Sequence, residues 1–308
     1  MKHRNDRLLV YIAMADAYAA ATEYLKLPQD QASKDEALRF EGYVAHPTYG
    51  IGAGFYTDDT EMSVANAQVL IDHGLLCAPR HFADAYVSEF VHGGRRKGYA
   101  RAFQSFLESI QDGTEFLDKI KSESNKNGAA MRAAPIGVLP NILDVIGVAT
   151  LQAQLTHNTP EGRFSARAVA VMSHAALYSD VPLAKLGDCC VGSLPLEDLE
   201  HFGHVFTGPW SGESVRDTPE LSVAITTVHA VVSVLAQETT LMGMLERLIR
   251  WGGDTDSVAA IAWGIASSRL QNEVLPEFME RDLERGSVKT GVPRLLSLGT
   301  QLMGRFAE

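Results

Sequence analysis

The sequence predicts an all-α fold, and three observations carry that expectation. Alanine-rich segments with apolar residues three and four positions apart recur from one end of the chain to the other. Runs that alternate apolar and polar residues are nearly absent, because Val, Ile and Thr are scattered among Ala and Leu. No Ser/Gly/Pro-rich linker divides the chain, so one compact domain of orthogonal helices is expected over residues 1–308. Hydrophobic residues make up 46% and charged residues 21%, proportions of a globular chain rather than a disordered one.

Residues 8–25 carry the first helical pattern. Lys2, His3, Arg4 and Arg7 precede it, and Ala17-Tyr18-Ala19 resembles a small-residue cleavage site, the outline of a signal peptide. Asp6 in the basic stretch and Asp16 after a short apolar run argue for a core helix instead. Residues 61–73 set Met62, Ala65 and Val69 on one side, and 81–91, 99–111 and 166–178 repeat that spacing. Residues 221–235, 241–251, 258–270 and 275–285 complete the set. The longest apolar stretches, 136–155 and 223–236, contain Pro140, Asn141 and Asp144 or His229, so both read as buried helices and neither as a membrane span. Loops are expected at 45–54, 122–128 and 179–214, and loops on a helical scaffold are where a site is built.

A net charge of −11 argues against a protein that tracks nucleic-acid phosphates, yet leaves room for a nucleotide in a locally positive site. The cysteines are Cys77 and the adjacent Cys189 and Cys190, an odd set without CxxC spacing or a neighbouring His. Neither a disulfide framework nor a zinc knuckle follows, and a reducing cytoplasm is the expected home.

Two acidic clusters carry the chemistry. The first is Thr57-Asp58-Asp59-Thr60-Glu61, just before a helical pattern. By itself it reads as a capping box, Asp58 at the cap and Glu61 three residues on. The second, Gly252-Gly253-Asp254-Thr255-Asp256-Ser257, again leads into an apolar helix, and capping by Asp254 leaves Asp256 without a purpose. Four carboxylates converging in one place repel unless cations stand between them. All-oxygen donors suit Mg²⁺ or Mn²⁺ rather than zinc, and two ions bridged by shared carboxylates would activate a water at neutral pH.

At this point the sequence resembles the ADP-ribosylglycohydrolase family over about residues 8–300. Tyr56-Thr57-Asp58-Asp59-Thr60 and Gly252-Gly253-Asp254-Thr255-Asp256-Ser257 are the most specific blocks. Asn127-Gly128-Ala129-Ala130-Met131-Arg132, Thr156-His157, and Ala15-Asp16-Ala17 with Glu23 stand in the family's order. The resemblance implies a two-metal cleft and hydrolysis of the bond between ADP-ribose and a modified acceptor, protein arginine being the one expected, with ADP-ribose released. The residues themselves leave arginine, serine, a nucleic-acid base and a small metabolite open as acceptors. By resemblance, Thr57, Asp58, Asp59, Asp254, Asp256 and Ser257 ligate two Mg²⁺ or Mn²⁺. Glu23 and Asp254 are the catalytic carboxylates, and Gly98, Tyr99, Ser124, Asn125, Asn127 and His157 bind substrate.

Ser257 stands where the family has threonine, and Ala15, Ala100 and Lys126 where it has glycine. Lys126 would either pair with pyrophosphate or obstruct it. The basic run Arg95, Arg96, Lys97 and Arg101 reads as a solvated loop or as an attractor of an anionic ligand. His174 and His229 read as structural, and Trp210 either covers a site or packs. Two other classes compete: a catalytically silent ADP-ribose-binding member, and a prenyl-diphosphate enzyme suggested by Asp58-Asp59. Complete acidic blocks disfavour the first, and the second lacks a matching second acid box.

Overall fold

The computed structural model describes residues 1–306, and among them every regular element is helical. The sixteen α-helices are α1 (Leu8–Ala19), α2 (Gln31–Ala37), α3 (Asp58–His73), α4 (Pro79–His92), α5 (Arg101–Glu108), α6 (Gly113–Lys119), α7 (Gly128–Met131) and α8 (Ile142–Gln154), followed by α9 (Pro160–Tyr178), α10 (Leu186–Ser193), α11 (Leu196–Phe202), α12 (Val223–Gln237), α13 (Leu241–Trp251), α14 (Thr255–Ala266), α15 (Phe278–Arg281) and α16 (Val292–Arg305). Among the described residues no helix is long and apolar enough to cross a membrane.

α1 and α14 are buried along their whole length, as helices that are apolar all round must be. They pack antiparallel. Thr255 Oγ1 donates to the Ala19 carbonyl at 2.9 Å, while Gly264 faces Ile12 so closely that a Cβ there would lie 3.0 Å from Cγ1. α3 packs on α1, α4 and α16, and α9 joins α7, α8, α12 and α14 on another side. The core pair therefore brings the end of α1 and the start of α14 together.

Several boundaries differ from those the sequence predicts, each for a local reason. Pro140 forces Leu139 into extended backbone (ψ 134°), and Asn141 then caps α8, so 136–155 is a 3₁₀ turn and a separate helix. Residues 179–214 hold α10 and α11 rather than one long loop. Residues 275–285 hold only one helical turn, α15, because Glu284 and Arg285 take positive φ (51° and 52°). Six helices without a predicted counterpart are short or largely polar on the outside: α2, α6, α7, α10, α11 and α16.

The distortion at Glu284 has a partner. Arg96 Nε meets Glu61 at 2.7 Å, and its Nη1 meets Glu284 at 2.7 Å and the Tyr56 carbonyl at 2.8 Å. Its guanidinium lies 3.9 Å from the centre of the Tyr56 ring. The basic run is thus not uniformly solvated: Arg96 is a buried clamp on both sides of the first acidic block. Removing one member of a buried, hydrogen-bonded pair leaves bare charge behind. Arg96→Ala is expected to lower unfolding free energy by about 3–5 kcal/mol in urea denaturation; a loss within about 1 kcal/mol would assign the clamp no structural weight.

Candidate active site

Three helix ends converge: the C-terminal end of α1 and the N-terminal ends of α3 and α14. Asp16 makes the first junction. Its fully buried carboxylate accepts from Thr57 N–H at 3.0 Å, Thr57 Oγ1 at 2.9 Å, Thr60 N–H at 3.0 Å and Thr60 Oγ1 at 2.5 Å. Thr57, in extended backbone, caps α3 through an Oγ1 that accepts from Asp59 N–H. Asp58 is therefore not the cap. It is the first helical residue, and its carboxylate lines the neighbouring cleft of about 700 Å³.

Asp254 occupies the cap position of α14 but makes no capping bond. Its Oδ2 accepts instead from Asn127 Nδ2 at 2.8 Å and Tyr24 OH at 3.4 Å. One oxygen each from Asp16, Asp59 and Asp256 lie within 4.8 Å of one another, and so do oxygens from Glu23, Asp254 and Asp256. Asp256 belongs to both groups. Ser257 lines the cleft beside it, while Thr57 is buried beneath.

Burial raises all of these carboxyls. Asp16 is pushed up to about 6, and Asp58 to about 7, by burial first and Asp16 next. Burial and the surrounding carboxylates hold Asp59 and Asp256 well above the usual range, and burial lifts Asp254. Glu23 is raised well above its ordinary value by burial, then by Asp254, Asp58 and Asp16. Asp59 Oδ1 is buried without a hydrogen-bond donor among the described residues. The buried guanidinium groups nearby are engaged elsewhere, Arg96 on Glu61 and Glu284 and Arg132 on Gln152 and Thr156. An orphaned buried oxygen, an all-oxygen donor set and a shared carboxylate fit hard divalent cations, and the two helix N-termini alone do not neutralise this much charge.

Glu23 is held through its backbone. His46 Nδ1 accepts from the amides of Thr48 and Tyr49, so its proton sits on Nε2 and is donated to the Glu23 carbonyl at 2.8 Å. Tyr24 N–H donates to the Gly253 carbonyl at 2.8 Å. The Glu23 carboxylate accepts no hydrogen bond among the described residues and lines both the cleft and an adjoining cavity of about 630 Å³.

The residues expected to bind substrate separate in space. Gly98, Ser124, Asn127 and His157 line the cleft. Gly98 adopts φ 126°, where a Cβ would lie 2.7 Å from the Thr57 Cβ, so only glycine fits. Tyr99 is buried, donates its hydroxyl to Glu61 at 2.8 Å, and lines the adjoining cavity instead. Asn125 is exposed and does not line the cleft. Lys126 pairs with Asp217 at 2.7 Å, both lining the cleft, so that ion pair must open before Lys126 meets a ligand. Trp210 does not line the cleft; its ring packs edge-on to His229.

A relay sets the state of His157. Arg132 donates to Thr156 Oγ1 at 2.7 Å, so the Thr156 proton goes to His157 Nδ1 at 2.6 Å and the ring proton sits on Nε2. Burial, then Arg132, depresses His157 to about 3, and the ring is neutral with one N–H to donate. Motif spacing names neither Arg132 nor Asp16 as a working residue. The signal for Asp16 is a lone acid inside an apolar helix, which must find donors.

A sequence profile described as ADP-ribosylglycohydrolase matches residues 8–307. A solved structure described as an "ADP-ribosylglycohydrolase-related protein complex" superposes with a TM-score of 0.73 at 20% identity, covering 100% of this chain and 99% of that one. That likeness is one of fold.

The raised carboxyls make stability depend on pH. With Asp16 and Asp58 moved from 3.8 to about 6 and about 7, the native state binds more protons than the unfolded chain between those values. Their contribution is complete below the unfolded pKa and is lost as pH rises through the folded one. In chelator, Tm is expected to fall between about pH 4 and about pH 7, and Mg²⁺ to reverse most of that fall. A flat profile, or one that Mg²⁺ leaves unchanged, would mean the cluster carries no such strain.

Proposed function

The chain belongs to the ADP-ribosylglycohydrolase family, and from that premise we infer that it cleaves the glycosidic bond between ADP-ribose and an acceptor, protein arginine being the acceptor expected. The observation that carries this reading is the meeting of six carboxylates, Asp16, Glu23, Asp58, Asp59, Asp254 and Asp256, at three helix ends beside a cleft of about 700 Å³. Such a cleft is large enough for a dinucleotide-sized ligand. Thr57, Asp58, Asp59, Asp254, Asp256 and Ser257 would hold two divalent cations, Mg²⁺ or Mn²⁺. Such ions supply charge that offsets the cluster and lower the pKa of water.

The chain's own groups do the rest. Glu23, with no hydrogen bond on its carboxylate, orients the attacking water and takes its proton. The same proton then passes to the departing acceptor atom, so the bond from the anomeric carbon to the acceptor breaks as the bond to water oxygen forms. Asn127 and Tyr24 hold Asp254 in place beside this event. Neutral His157 donates from Nε2, and Lys126, once its pair with Asp217 opens, supplies positive charge for the pyrophosphate. The adjoining cavity shares Glu23 and Gly98 with the cleft and is the natural side for the acceptor. The cysteines, all free, suit a cytoplasmic enzyme.

Release of ADP-ribose from ADP-ribosylarginine protein should stop in EDTA and return with Mg²⁺ or Mn²⁺; full turnover after thorough chelation would remove cations from the reaction. Glu23→Gln keeps size and polarity but not basicity. It is expected to slow turnover roughly 10²–10⁴-fold while ADP-ribose still binds, and turnover within a few-fold of wild type would exclude Glu23 as the base. Asp256→Ala should abolish turnover and leave the ion-free protein as stable as wild type or more so, since repulsion is relieved. Loss of the fold with normal specific activity in the folded fraction would return Asp256 to a structural role.

A further inference from the structure

A third cavity, of about 490 Å³, shares only Tyr24 with the acidic cleft. Its chemistry is the reverse. Among the described residues no carboxylate lines it, whereas Lys26, Lys34 and Arg216 do. None of the three forms a salt bridge among the described residues. Arg216 donates to Ser214 Oγ at 2.7 Å, and Lys34 Nζ donates to the Arg250 carbonyl at 2.9 Å, so both cations hydrogen-bond neutral acceptors. Burial and the neighbouring Arg250 push Lys34 below its ordinary pKa, against the opposing pull of Asp35. In a chain of net charge −11, three unpaired cations around one carboxylate-free cavity run against the rest of the molecule. Trp251 adds an aromatic wall.

We propose that this cavity is a second ligand site, taking a small molecule that carries both a phosphate group and a planar ring, of the class of a nucleoside monophosphate. Lys26, Lys34 and Arg216 meet the phosphate, and the Trp251 indole takes the ring. The volume lies within the range of small-molecule sites. A ligand here would sit against the Gly252–Gly253 turn, to which Tyr24 is tied by its N–H to the Gly253 carbonyl. The site does not depend on the hydrolase reading.

The test uses the full chain with Mg²⁺, titrated with AMP and, separately, with inorganic phosphate, by calorimetry and tryptophan fluorescence. AMP is expected to bind, to bind more tightly than phosphate, and to bind at least about tenfold more weakly to a Lys34→Gln/Arg216→Gln double variant of unchanged Tm. Trp251→Phe should remove the fluorescence response, a readout that does not rely on the double variant folding. Absence of AMP binding, or equal affinity in the double variant, would overturn the site. Phosphate binding as tightly as AMP would overturn the aromatic half and leave a simple anion pocket.

Discussion

A carboxylate buried in the wall of one helix holds the start of another, and the arrangement of the cleft follows from it. Asp16 lies in α1, which is otherwise apolar and wholly buried. Ionised there and alone, it would cost several kcal/mol. Two threonine hydroxyls and two amides at the start of α3 offset that cost, and the N-terminal end of the helix dipole adds to it. The same four bonds fix where α3 begins, and so where Asp58 and Asp59 stand relative to α1. α14 is positioned independently, by Thr255 on the last carbonyl of α1 and by close packing at Gly264. Both acidic blocks are therefore referred to a single rigid element.

The charge of the cluster is managed by keeping cations away from it. Arg96 and Arg132, which stand close by in the fold, each spend their donors on other groups: Arg96 on Glu61 and Glu284, Arg132 on Gln152 and Thr156. A guanidinium inserted among the carboxylates would neutralise them and close the site to a metal ion. What remains is a set of raised carboxyls with a buried oxygen that no donor among the described residues meets. That is a poor way to stabilise a fold and a good way to bind a hard cation. Arg132 meanwhile works at one remove, holding Thr156 so that His157 stays neutral with a defined tautomer.

The sequence made much of this legible, for physical reasons. The all-α fold shows in the 3.6-residue spacing, and residues 241–251 form a helix with the predicted bounds because Thr240 caps one end and Gly252 stops the other. The acidic blocks show as paired acids ahead of apolar helices, and the fold does bring them together. Spacing could not tell which residue caps α3, because Thr57 and Asp58 both suit the role and the choice falls to the partner Asp16. Nor could it separate Arg96 from Arg95 and Lys97, since its partners lie 35 and 188 residues away. Glycine and proline in 179–214 masked α10 and α11, which are short helices set between turns. α16 carried a readable signal in Leu295, Leu298 and Leu302 behind Pro293.

On the proposed function, the converging carboxylates hold divalent cations. Counting bound Mn²⁺ in the metal-free protein by electron paramagnetic resonance tests it without reference to any substrate. Two ions per chain are predicted for the wild type, and fewer for Asp256→Asn, because Asp256 is shared by both groups of acids. A wild-type chain that binds no Mn²⁺ at millimolar concentration, or an Asp256→Asn chain that binds it as the wild type does, would contradict a cation-binding role for the cluster.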